Sequence, residues 1–261
     1  MSFPRWRTLA GVTLAALGVT AASAQAADPP KPVDMVQNLR VTISPAKSGT
    51  SRAPKAASIG VTIQSPTSEP ATTETVSVSF GKGVEFNNRA FPTCSLQTIN
   101  ANRSLSKCPR GSIVGKGTAR AIGFLNGTRV PETLRVTAVN SPGNTLQLYV
   151  AGTNPLPIAA PITGRLVKAS GKYGYKLNVR LPQDLQEVIP GTAWAPLVYF
   201  HVDVKATTTV RRGGKSTKVP YVQTVKCPSG GWPFEAAFTF DQAAPFIDGP
   251  LNAVSPNQKC S

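Results

Sequence analysis

A chain of 261 residues with 28 Lys and Arg against 12 Asp and Glu carries a formal net charge of +16. That length can bury a core of its own, and such a surface attracts polyanions through a long-range, salt-sensitive field. One histidine and four cysteines without a CxxC pair exclude a tetrahedral N/S metal site at usual spacings, and no cofactor is expected.

Arg5 and Arg7 precede an uncharged run, Leu9–Ala22, followed by the small residues of Ala24-Gln25-Ala26. This pattern predicts a signal peptide over 1–26, because the run is shorter than the roughly 20 residues a bilayer needs. No membrane span is expected after its removal. Residues 27–34, rich in proline, form an extended lead-in, and a β domain is predicted over 35–261.

Leu39, Val41 and Ile43 alternate with Arg40, Thr42 and Ser44, which predicts a first strand with one apolar face. The same alternation recurs at Ile59, Val61 and Ile63 and at Val76, Val78 and Phe80. Cys94 and Cys108 then bracket a polar loop that leads into the glycine-punctuated run Ile113–Ala119. A disulfide there would pin the loop against a strand, with the glycines marking a bulge or close strand packing. In an exported chain oxidation is expected. Of the three possible connectivities, Cys94–Cys108 with Cys227–Cys260 closes the shortest loops.

Leu134/Val136/Ala138 and Leu146/Leu148/Val150 flank a turn at Asn140–Asn144 and predict a hairpin. Ile162–Lys168 and Tyr173–Leu181 predict a second. A third is expected from Leu197–Arg212 and Lys218–Lys226 around a basic tip, and Phe234, Phe238 and Phe240 mark a final strand. No helical periodicity appears outside the signal peptide. The fold class is therefore all-β, a mostly antiparallel β-sandwich of Ig-like or jelly-roll-like type. The pattern admits one sandwich or two subdomains divided near Asn126–Pro131.

Chemistry is sparsely marked. His201 and Asp203 project from the same face of a strand, half of a hydrolase triad, but no G-x-S-x-G elbow supplies a serine. Asp184 and Glu187 are a near carboxylate pair of the kind glycoside hydrolysis uses, or simply turn and capping residues. Gly213-Gly214-Lys215-Ser216 lacks the first glycine of a P-loop and the helix that must follow. Arg211, Arg212, Lys215 and Lys218 form the densest cation cluster, suited to phosphate groups or acidic glycans. Nucleic acid is disfavoured because stacking aromatics are not interleaved with them. Trp194 and Trp232 sit in proline-glycine loops, where a ring either stacks on a sugar or covers the core.

Phe91-Pro92-Thr93-Cys94, Cys108-Pro109 before Ile113–Ala119, Gly171–Tyr175, and Cys227-Pro228 before the aromatic strand resemble a group of secreted actinobacterial proteins of uncharacterised function. The resemblance implies export, disulfides and a β-rich fold, and carries no functional residues. The expected role is a secreted, non-catalytic module, in the medium or on the cell wall, that binds an anionic cell-envelope polymer or glycan. The alternatives are an extracellular hydrolase using His201 and Asp203 and a structural envelope protein. Oligomeric state has no sequence signal.

Overall fold

The computed structural model describes residues 37–65, 71–125, 128–153, 157–189, 193–240 and 251–261. The predicted signal peptide and lead-in lie outside these, as do the side chains of Phe124, Leu125, Val188, Ile189, Ala193 and Arg212. Residues Asp34–Ser261 make one compact unit.

In chain order the strands are β1 (Asn38–Ser44), β2 (Lys55–Gln64), β3 (Thr73–Gly81) and β4 (Val84–Phe86), then helix α1 (Leu96–Asn102). There follow β5 (Ile113–Leu125), β6 (Thr128–Ser141), β7 (Thr145–Gly152), β8 (Ile158–Lys168) and β9 (Tyr173–Arg180). After the short helix α2 (Gln183–Gln186) come β10 (Glu187–Ile189), β11 (Ala193–Trp194), β12 (Leu197–Val204), β13 (Thr207–Arg212) and β14 (Lys215–Pro220). Finally come β15 (Val222–Thr224), β16 (Trp232–Phe240) and β17 (Leu251–Gln258).

The all-β class is observed, and every strand pairing among the described residues is antiparallel. A single 13-stranded sheet runs β17-β16-β3-β9-β8-β7-β6-β5-β12-β2-β15-β4, with β1 on the free side of β2. Its two ends come together: β1 lies beside β17, and Val41 N–H donates to Ser255 Oγ at 2.9 Å. The two layers of the expected sandwich are thus opposite halves of one sheet rolled into a ring. Across the position where the sequence admits a division, β5 and β6 pair from Ile113↔Val139 to Leu125↔Thr128.

Period-2 alternation decides which face turns inward. Leu39, Val41 and Ile43 of β1, Ile59, Val61 and Ile63 of β2, and Phe234, Ala236 and Phe238 of β16 are all buried in one core. A side chain of this size contributes roughly 1.5–3 kcal/mol when fully buried. Many outward positions are polar, as with Lys116, Thr118 and Arg120 on β5 or Lys176, Asn178 and Arg180 on β9, while Val139 and Tyr149 face outward under the Cys94–Cys108 loop. Apolar inside and polar outside is the reverse of a transmembrane barrel. No described helix is long and apolar enough to cross a membrane.

Both expected disulfides are present, Cys94–Cys108 and Cys227–Cys260. The first pins its loop to the outer face of the sheet, where Ile99, Val139 and Tyr149 pack with Cys94 in a small second core. That loop contains α1, a helix the sequence pattern does not reveal. Seven residues are too few to show a period, and its start depends on Ser95 Oγ accepting Thr98 N–H at 3.1 Å. The glycines of β5 do serve close packing: a Cβ at Gly117 would collide with the carbonyl oxygen of His201, and one at Gly115 with that of Asp203.

One predicted element divides. The run expected from Leu197 to Arg212 ends as β12 at Val204, and β13 begins a separate ribbon with β14. At the break Lys205 N–H donates to Val114 O, and Ala206 O accepts from Tyr221 N–H, so the backbone leaves the sheet with its hydrogen bonds satisfied.

Candidate functional site

The inward side chains of the ring do not fill it. Eight strands make a barrel just wide enough for side chains to meet, and further strands widen it. Here all strands of the large sheet except β15 and β4 take part in the ring, and a cavity of about 580 Å³ remains. Val61, Val78, Leu134, Leu148, Val179 and Phe200 are among its walls. Phe200 and Leu177 stay only half-buried although they point inward, because they border empty space rather than another side chain. The volume lies in the roughly 300–1,000 Å³ range of small-molecule sites, and an apolar lining of this kind does not hold water well.

At one end the cavity adjoins a surface cleft. Phe86, Asn88, Asn144 and Leu166 border both. The cleft is further lined by Arg89, Arg165, Lys168 and Tyr175, and by Val210, Thr217 and Val219 of the β13–β14 ribbon. Phe86 stands between the two spaces, its ring 5.2 Å from Phe80, 5.4 Å from Tyr175 and 6.4 Å from Tyr221, all edge-on. Lys168 Nζ lies 3.9 Å from the Tyr175 ring centroid. The exposed guanidinium and ammonium groups therefore surround the opening of an apolar space.

Buried hydrogen bonds hold this end in shape. Asn140, 0% exposed, donates through Nδ2 to Asn88 O (3.0 Å) and Pro92 O (3.1 Å), and its Oδ1 accepts from Tyr221 OH at 3.2 Å. Burial holds the Tyr221 phenol above its ordinary pKa, so it stays a donor. Asn88 Nδ2 donates to Asn144 Oδ1 at 2.8 Å, joining the rim across two loops. At the opposite end Glu132, Asp184 and Glu187 border the cavity with Leu185, and Gln183 Nε2 donates to Glu187 Oε1 at 2.8 Å.

Apart from Asp184 and Glu187, the residues singled out from sequence fall elsewhere. His201 Nδ1 is 2.9 Å from Thr62 Oγ1, and Nε2 is 3.3 Å from Asp203 Oδ2. The pair is adjacent as expected, but on the outer face of β12, with side chains 31% and 50% exposed and neither residue lining a described cavity. Arg211, Lys215 and Lys218 are exposed. The register Arg211↔Ser216, Val210↔Thr217 and Thr209↔Lys218 puts Arg211 and Lys218 on one face of the ribbon and Lys215 on the other. Arg212 ends β13, its side chain outside those described. Trp194 is half-buried. Trp232 is not available for stacking on a sugar: it is 0% exposed, and its indole N–H donates to Lys226 O at 2.8 Å. Asp184 and Glu187 border the apolar cavity, and Asp184 also lines a surface groove with Glu74, Arg180, Gln183 and Gln186. Among the described residues no group of three or more His, Cys, Asp or Glu could hold a metal ion.

Sequence reasoning missed the cavity and its rim. Arg89, Arg165 and Lys168 are scattered along the chain and form no local cluster. The available signal was Lys168 and Tyr175 flanking one hairpin turn, which pairs them directly. Comparison with family models, curated proteins and solved structures finds no match, so the geometry alone carries the functional reading.

Proposed function

We propose that the protein is an exported, non-catalytic binding module for an amphiphile, holding the apolar body in the cavity and an anionic head at Arg89, Arg165 and Lys168. The observation that carries this reading is the meeting of a 580 Å³ apolar cavity with a cationic cleft through shared rim residues. Each buried methylene contributes about 0.8 kcal/mol, so a chain of about ten gains roughly 8 kcal/mol before the cost of association. A carboxylate or phosphate head adds charge-assisted hydrogen bonds at the rim. Export is supported by the predicted signal peptide and by the two disulfides, which suit an oxidising compartment.

Titration of the purified mature protein with a fluorescent long-chain fatty acid tests the reading. Saturable uptake is expected, displaced by unlabelled long-chain carboxylates and poorly by short ones. Failure of any apolar probe to bind would refute it.

A further inference from the structure

The antiparallel order sorts the loops onto the two ends of the ring, and the charges follow. At the cavity mouth the turns between β3 and β4, β6 and β7, and β8 and β9 meet: Lys82 N–H donates to Lys172 O, and Leu166 N–H to Asn144 O. The β1–β2 loop joins them, since Thr224 Oγ1 donates to Lys47 O at 2.7 Å. This end presents exposed Lys47, Arg52, Lys82 and Lys172 in addition to Arg89, Arg165 and Lys168 of the rim. The β13–β14 ribbon leaves from the same end and adds Arg211, Lys215 and Lys218. Glu85, a carboxylate at this end, accepts from Gln223 Nε2 at 3.0 Å. Around the opposite end lie Glu74, Glu132, Asp184 and Glu187 together with Arg129, Arg135 and Arg180, the last 2.7 Å from Glu74. Cations thus predominate at the end where the cavity adjoins the cationic cleft, while the two signs are mixed at the other.

We propose that the positive end is a docking face for an anionic lipid bilayer, which sets the cavity mouth against the membrane and uses the ribbon as an arm along its surface. This rests on the amphiphile reading. A chain passing from bilayer to cavity avoids exposure to water only if the mouth faces the bilayer, and a soluble polyanion would have no use for an apolar opening among the cations. The ribbon suits the contact because one face carries Val210 and Val219 beside the cleft and the other carries Arg211 and Lys218. Clustered Lys and Arg near an anionic leaflet each strengthen binding, within a Debye length.

The test is co-sedimentation of the mature protein with phosphatidylcholine vesicles and with vesicles containing phosphatidylglycerol, across a salt series, beside the triple variant Arg211→Ala/Lys215→Ala/Lys218→Ala. Fatty-acid probe uptake is measured separately without vesicles. Retention is expected only on anionic vesicles, falling with salt and roughly a hundredfold weaker in the variant, while the variant's probe uptake is unchanged, which also shows that it is folded. No retention on anionic vesicles with probe uptake intact overturns the docking face alone. Equal retention on neutral vesicles overturns it too, as does binding of soluble polyphosphate as tight as that of vesicles matched in phosphate. Absence of probe uptake refutes the amphiphile reading instead.

Discussion

Ala121 tests the emptiness of the ring. It lines the cavity from β5, directly opposite Glu132 of β6 and Leu197 of β12. Replacing it with leucine adds three carbons to the space. At about 0.8 kcal/mol per methylene removed from water, the ligand-free protein gains roughly 2 kcal/mol. One kcal/mol moves the midpoint of a domain this size by about 2–4 °C, so Tm rises by about 5–10 °C. The added side chain expels a similar number of ligand carbons, which weakens a long-chain probe by roughly thirtyfold. Differential scanning fluorimetry with and without probe reads both quantities. A filled interior would respond in the opposite way, since overpacking costs about 1–3 kcal/mol. A fall in Tm with unchanged probe affinity would refute the cavity as the binding space.

Three further outcomes are expected. Gly117→Ala forces a Cβ into the backbone of β12 at His201 and should lower stability by about 1–3 kcal/mol in urea denaturation, whereas His201→Ala, on the solvated face, should change it by under about 1 kcal/mol and leave probe uptake intact. Asn140→Ala leaves the carbonyls of Asn88 and Pro92 without their donor and should cost about 1–3 kcal/mol, with probe uptake lost faster than the fold because the rim is what it holds. Burial keeps the phenols of Tyr173 and Tyr221 above the ordinary value of 10.0, and Tyr173 also donates to the Glu235 carboxylate. Their stabilisation is therefore fully present below pH 10 and fades as pH rises further, when the unfolded chain ionises first. The urea midpoint should fall above pH 10, with a shallower fall in Tyr221→Phe.

Much of the fold was legible because it rests on a local rule. Alternation at Leu39–Ile43, Ile59–Ile63 and Val76–Phe80 marks both the strand and its buried face, and the cysteine spacing indicates the pairing that closes short loops. Ring closure was not legible, since it depends on β1 meeting β17 across some two hundred residues, a contact without a local pattern. The cavity inherits that difficulty: its apolar wall residues each read as an ordinary core position, and only the circumference leaves a space between them. The basic ribbon was visible as a cluster, yet its division between two faces follows from the register at Val210↔Thr217. Trp232 illustrates the ambiguity of a proline-glycine context, which suits an exposed ring and a buried one equally well until the acceptor at Lys226 is known.

The way the ring closes sets where it can give. Around most of its circumference neighbouring strands share full ladders, and between β5 and β12 Gly115 and Gly117 allow a close backbone approach. Among the described residues β1 and β17 share no ladder. They are joined by Ser255 accepting Val41 N–H, and beyond the strand ends by Ser261 N–H donating to Ala46 O at 2.7 Å. Deformation concentrates where the fewest bonds resist it. That junction is the compliant line of the wall, and amide exchange under native conditions should be faster along β1 and β17 than along β5 and β6. A ligand bulkier than the resting cavity would be accommodated by widening this line, with the opposite wall left unchanged.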